Sequence, residues 1–294
     1  MDLVGYFQGL LSRIEPTAAH VTRAKKAHEL LRKRLEADDE VGKAHQATYL
    51  AGSYARHTAI HDIKDVDVIC VLDIDTGETE PLVLLRWLES ALLKYYDEVR
   101  LQGRSLGLTT PDGFSLDVVP GSPQLGADGP LWIPDREAKL WVVSHPKGQI
   151  DFATKRNAAT GGYYVQTVKI MKHWRDRLPA ALARPKSYVL ETLVAETIGT
   201  APPPSHAAAV VTILEGIWTR YSAWVGSGSV PTISDPGYPA VNVAKRWQPS
   251  EFDAFISRVQ TAAVTARRAW EETDQDKSVA LWRGLFGTDF APTK

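Results

Sequence analysis

Cysteine is almost missing from this chain. Cys70 stands alone among 294 residues, so no internal disulfide can form and no zinc site can be built on thiolates. A lone thiol suits a reducing compartment. An excess of either charge is missing too: 34 Lys and Arg stand against 35 Asp and Glu, for a net charge of −1. A protein that grips nucleic acid along its whole surface is usually far more basic. No apolar run approaches the roughly 20 residues that span a bilayer, and the opening MDLVGYFQGLLSRIEPT lacks a basic leader region. No Gly-x-x-x-x-Gly-Lys-Ser/Thr phosphate loop occurs, which excludes a P-loop NTPase. With 44% apolar and 23% charged residues, the chain reads as a globular, cytoplasmic protein of about two domains with no membrane partner.

What is present is periodicity. Val21, Ala24, His28, Leu31 and Leu35 recur at three- and four-residue steps and predict a long helix over 18–36, with Thr17 as its cap. Arg23, Lys25, Lys26, Arg32, Lys33 and Arg34 fall mostly off that stripe and read as a solvated face. Strands are expected at 47–51, 65–72, 104–109 and 114–119, the last two joined by the turn Thr110-Pro111-Asp112-Gly113. A helix is expected over 82–96, with Thr79 capping it and Pro81 in its first turn. Beyond residue 150 the pattern turns helical, at 163–178, 188–198, 205–225, 250–272 and 277–285. Residues 226–239 read as an irregular connection, with DPGYP as a rigid connector. The tail 287–294 reads as loosely structured. Strands first and helices second predict an α+β protein, with a mixed-sheet core over 1–155 and a helical domain over 156–294. A ligand is expected in the cleft between them.

The chemistry concentrates in GSYARHTAI, residues 52–60, and in Asp65-Val66-Asp67. Gly52 lets the backbone approach a ligand, and Ser53 adds a hydroxyl to the N–H groups of the turn. By itself such a turn is an ordinary helix start. The two aspartates change the reading. At i and i+2 of a strand they leave one face, about 6.5–7 Å apart at Cα. Like charges so placed are costly unless a cation sits between them, and Mg²⁺ prefers such oxygen ligands. Asp117 interrupts the apolar alternation of Phe114, Leu116 and Val118. If its strand lies beside that of Asp65, three carboxylates converge, enough for two metal ions about 3.5–4 Å apart. Asp73-x-Asp75 lies roughly 26 Å further along an extended strand and reads as turn polarity. His57 and His61 read as exposed histidines.

Gly-Ser, Asp-x-Asp and a later strand Asp resemble the polymerase-β-like nucleotidyltransferase superfamily. GSYARHTAI followed by DVDVICVL resembles more narrowly the bacterial cGAS-like nucleotidyltransferases (CD-NTases), relatives of metazoan cGAS and oligoadenylate synthase. VKIMKHWRDR, KSYVLETL, ISDPGYPAVNVA and LWRGLFGTDFAP extend the resemblance from about residue 50 onward. The resemblance implies that Gly52 and Ser53 hold a donor triphosphate and that Asp65, Asp67 and Asp117 ligate Mg²⁺, with Mn²⁺ as the alternative. It implies donor-phosphate contacts for Lys172 and Ser187 and a base-stacking role for Tyr188. The implied activity joins ATP, GTP or other nucleoside triphosphates, without a template, into a cyclic di- or trinucleotide messenger of anti-phage signalling. A downstream effector would be reached through that product, and a regulator would act on the C-terminal tail. Activation by nucleic acid is not supported, because the zinc insert of vertebrate cGAS is missing. Two other readings stay open. One is nucleotidyl addition to an RNA end, a protein or a small molecule; the other is a catalytically silent nucleotide- or nucleic-acid-binding scaffold.

Overall fold

A computed structural model of the chain describes residues 1–61, 65–179 and 185–293. The elements run α1 (Val4–Ile14), α2 (Ala18–Ala37), α3 (Val41–Ala44), β1 (His45–Leu50), α4 (Gly52–Ala55), β2 (Val66–Leu72), α5 (Pro81–Leu92), β3 (Val99–Leu101), β4 (Leu106–Thr109) and β5 (Ser115–Pro123). They continue with β6 (Leu131–Asp135), β7 (Leu140–Ser144), α6 (Pro146–Ala159), α7 (Tyr163–Asp176), α8 (Ser187–Thr197), α9 (His206–Tyr221), β8 (Ser234–Asp235), β9 (Tyr238–Asn242), α10 (Pro249–Glu271) and α11 (Gln275–Phe286). The chain divides into two compact units. A sheet unit comprises Pro16–His57 and Asp62–Asp151, and a helical unit comprises Met1–Glu15, Thr58–His61 and Phe152–Lys294. No described helix is long and apolar enough to cross a membrane.

The sheet unit is built on a mixed sheet of order β1-β2-β5-β4-β3, with β6 on the far part of β5 and β7 on β6. β2 and β5 run parallel; the other pairs are antiparallel. Both faces of β2 are covered, which is why its sequence is almost continuously apolar. On one face Val68, Cys70 and Leu72 join Leu84, Leu85 and Leu88 of α5 and Ala24, Leu31 and Leu35 of α2. On the other, Ile69 and Val71 join Leu131 and Ile133. Only at its first residues does β2 carry acid.

The expected long helix is α2, and the Thr17 hydroxyl accepts from the His20 N–H as a cap should. Its buried stripe is Ala24, Ala27, Leu31 and Leu35. Val21 and His28, expected on that stripe, are not among the buried residues, and Val21 is 44% exposed. Glu80, not Thr79, holds the N-cap position of α5 and makes no capping hydrogen bond with its side chain, while Pro81 takes the first helical position, where its missing N–H costs nothing. The 110–113 turn forms as expected: Gly113 has φ +76°, and the Thr110 hydroxyl accepts from the Phe114 N–H. The Asp75 carboxylate accepts from the Gly77 N–H, a turn role.

The helical unit has its own core. α1, the first element of the chain, belongs to it because Phe7, Leu10, Leu11 and Ile14 are buried there. Phe7 packs edge-on against Trp282 and Phe290, with centroids 5.1 and 5.0 Å away. The tail is therefore docked rather than loose. Phe290 is fully buried, and the Arg13 guanidinium donates to the carbonyls of Ala291 and Pro292 at 2.8 and 2.9 Å. The segment expected to be an irregular connector contains the hairpin β8–β9. Asp235 turns it by accepting from the Gly237 N–H, and Asn242 accepts from the N–H groups of Ile233 and Ala244.

Candidate active site

Parallel pairing of β2 with β5 decides the site. Its register sets Asp67 directly beside Asp117. Both side chains leave the same face of the sheet, and both are half-buried. Asp65 precedes β2 and is exposed at its mouth. Gly52 follows β1 and approaches Asp67 from the other side. It has φ +61°, and a Cβ there would fall on the Asp67 carboxylate. The Ala51 N–H donates to the Asp67 carbonyl at 2.8 Å, so the end of β1 holds this approach. A glycine is needed at 52 on both counts, conformation and space.

Electrostatics mark the same spot. Burial, with Asp117 alongside, pushes the Asp67 carboxyl up to about 6, and Arg56 draws it back. Burial and Asp65 push Asp117 upward as well, against a hydrogen bond from Gln102 and the charge of Arg100. Two adjacent carboxylates raised by burial and by neighbouring acids are short of positive charge. All the donors are hard oxygens, which suits Mg²⁺ or Mn²⁺. Among the described residues no three of His, Cys, Asp and Glu form a ready-made ion cage. What exists is a carboxylate pair with Asp65 in electrostatic reach. This set fits a divalent cation that also takes oxygens from a bound substrate.

The residues expected to touch the donor from the helical unit are held by partners there. Lys172 is 3% exposed. Its ammonium donates to Glu191 Oε1 at 2.7 Å, to the Thr58 carbonyl at 2.9 Å and to the Thr58 hydroxyl at 3.3 Å. An ammonium has three N–H bonds, so a phosphate contact would replace one of these. Arg175 donates to the Ser187 hydroxyl at 3.1 Å, and the Tyr188 phenol donates to Asp235 at 2.6 Å.

Two residues of this neighbourhood escape sequence reading. Gly107 lies opposite Asp117 in β4, and Gln102 donates to Asp117 Oδ1 at 2.9 Å. The signal for Gly107 was available: a glycine inside the apolar strand LGLT marks a close approach. Gln102 lies in a turn and carried none.

Residues 1–157 match the family model described as the second messenger oligonucleotide or dinucleotide synthetase domain. A cyclic AMP-AMP-AMP synthase of Acinetobacter sp. is 33% identical over 97% of this chain and 84% of its own length. The chain belongs to the second messenger oligonucleotide or dinucleotide synthetase family. A cyclic AMP-AMP-GMP synthase of Enterobacter hormaechei is also similar, 27% identical over 99% of this chain and 92% of that relative. In fold, this synthetase is similar to Escherichia coli CdnC solved with ATP, at 19% identity, 98% coverage of each chain and TM-score 0.80. Membership makes the protein a nucleotidyltransferase that makes oligonucleotide messengers, within the CD-NTase group that the motifs resemble. Its α+β architecture, with a long early helix, a mixed sheet and a C-terminal helical bundle, is the one expected from sequence.

Proposed function

We propose that this synthetase joins nucleoside triphosphates, ATP foremost, into a cyclic trinucleotide, with Asp65, Asp67 and Asp117 as the ligands of Mg²⁺. The observation that carries the reading is the register of Asp67 beside Asp117 with Gly52 closed over them. The nucleotide choice rests on the similarity to the cyclic AMP-AMP-AMP and AMP-AMP-GMP synthases.

In this reading Gly52 and Ser53 receive the donor triphosphate where the backbone can come closest to it. Asp117, on the strand beside the other two carboxylates, faces the ribose hydroxyl of the acceptor. That hydroxyl attacks the donor α-phosphorus and pyrophosphate leaves. Bound divalent cations would supply Lewis-acid stabilisation of the charge on the phosphoryl and leaving oxygens. Base choice comes from pocket walls rather than a template. The donor roles of Lys172, Ser187 and Tyr188 are exercised with Glu191, Arg175 and Asp235 as the groups that orient them. A downstream effector is reached by the product, and a regulator acting on the tail would first have to release Phe290.

The test incubates the protein with ATP, GTP, CTP, UTP and Mg²⁺, treats the mixture with phosphatase and reads products by mass spectrometry. A phosphatase-resistant, adenosine-containing trinucleotide ring is expected, and it should vanish with EDTA. Products seen only after adding an RNA or protein acceptor would contradict the reading. Nucleotide binding without turnover would point instead to a scaffold.

A further inference from the structure

Across the sheet from Asp67, Asp117 has a neighbour that the catalytic reading does not use. Gln102 follows β3, and its N–H donates to the Ser105 carbonyl at 2.9 Å, closing the turn into β4. The Ser105 hydroxyl donates to Gln102 Oε1 at 2.8 Å, and Gln102 Nε2 donates to Asp117 Oδ1 at 2.9 Å. This order fixes the amide. Flipped, it would set its own oxygen against the carboxylate oxygen at 2.9 Å, leaving two acceptors facing each other.

The turn that carries Gln102 is itself tied down. Arg104 donates twice to Asp135 Oδ2, at 2.9 and 2.7 Å. Asp135 is 1% exposed, and the Arg136 N–H donates to the Gly103 carbonyl at 2.8 Å. The path of the amide runs over Gly107. A Cβ at 107 would lie 2.6 Å from Gln102 Nε2 and 3.3 Å from Asp117 Oδ1. The gap left by this glycine is the space through which the amide reaches its carboxylate.

We infer that Gln102, oriented by Ser105 and admitted by Gly107, is a positioning residue that fixes the plane of the Asp117 carboxylate for the cation. The inference rests on the proposed metal role of Asp117. An amide suits the task because it is neutral. It holds one oxygen of a carboxylate that Asp65 and Asp67 repel, and it leaves the other lone pairs for a metal. A lysine there would neutralise the site in place of the cation, and a glutamate would repel Asp117. Residues that orient metal ligands commonly influence metal affinity or activity by about 10–100-fold.

The experiment compares the full chain with Gln102→Met, Gln102→Asn, Ser105→Ala and the double variant Asp65→Ala/Asp67→Ala. It reads Mn²⁺ binding by calorimetry in the presence of a saturating nonhydrolysable ATP analogue, then kcat and KM for ATP, then Tm. Methionine keeps the volume and loses the N–H; asparagine keeps the amide and loses the reach. Both should weaken Mn²⁺ about tenfold or more and lower kcat by about 10–100-fold, with KM within about twofold. Ser105→Ala should move the same way by a smaller factor. A role confined to folding would shift Tm and leave Mn²⁺ affinity alone. If Gln102→Met does not fold, Gln102→Asn and Ser105→Ala carry the test. Folded variants that bind Mn²⁺ and turn over like the parent overturn the inference while the metal reading stands. If the parent binds Mn²⁺ no better than the double aspartate variant, the metal reading falls, and this inference falls with it.

Discussion

The two units treat buried charge in opposite ways. In the helical unit a cation and an anion are buried as a matched pair. Lys172 and Glu191 are 3% and 1% exposed at the side chain and 2.7 Å apart, and every ammonium hydrogen has an acceptor. In the sheet unit two anions are placed side by side; burial raises both toward protonation, with Asp117 adding to the shift of Asp67 and Asp65 to that of Asp117. The first arrangement is complete as it stands. The second is complete only when something positive arrives, and that is the arrangement expected of a site rather than of a core. The unbalanced pair is the proposed metal site; the balanced one holds Lys172, which would give up one of these bonds to meet a donor phosphate.

The contrast breaks first in activity. Asp65→Ala with Asp67→Ala should remove the acidic side of the site and cost at least about 10³-fold in product formation while the protein stays folded. The assay is labelled product per unit time beside a circular dichroism melt. Next comes Lys172→Met, which strands the Glu191 carboxylate and should cost about 4 kcal/mol in denaturant unfolding. Lys172→Met/Glu191→Leu should recover most of that, because an apolar pair replaces a balanced ionic one. If the double variant is as unstable as the single, the pair is not the unit of stability argued here. Phe290→Ala should cost about 3 kcal/mol and free the tail, seen as proteolysis near residue 290.

The smallest effect is the most specific. The Asp67 carboxyl is raised from its ordinary value to about 6. The folded state therefore holds that proton where the unfolded state has released it. Its contribution is fully present below about pH 4 and is lost as pH rises through about 6. Asp67→Asn should stabilise the metal-free protein by about 2 kcal/mol at pH 7 and by almost nothing at pH 4. Unfolding curves at the two pH values check the sign. Equal gains at both would show that the cost of ionising the buried Asp67 carboxyl is not the cause.

How much of this was legible in the sequence depended on whether a residue acts alone or through pairing. Asp67 and Asp117 were legible because an acid inside an apolar strand is locally conspicuous. That the two stand in register could not be read, since it follows from β2 and β5 running parallel over a long separation. The cap at Thr17 and the turn at Gly113 are local and were legible. α6 was not: it buries only Pro146 and Ala153, so it shows no apolar stripe. The docked tail escaped because what anchors Phe290 includes Tyr6 and Phe7 at the other end of the chain, a pairing no local pattern announces. Lys172 was singled out by resemblance alone; its partner Glu191 lies a helix away, and nothing in the spacing announces the pair.

Crystals of the full chain soaked with Mn²⁺ and a nonhydrolysable ATP analogue test the central claim most directly, through the anomalous signal of the metal. Density should peak within coordinating distance of the Asp67 and Asp117 carboxylates together, beside Gly52. Manganese bound to the triphosphate alone, with both aspartates free of it, would contradict the account.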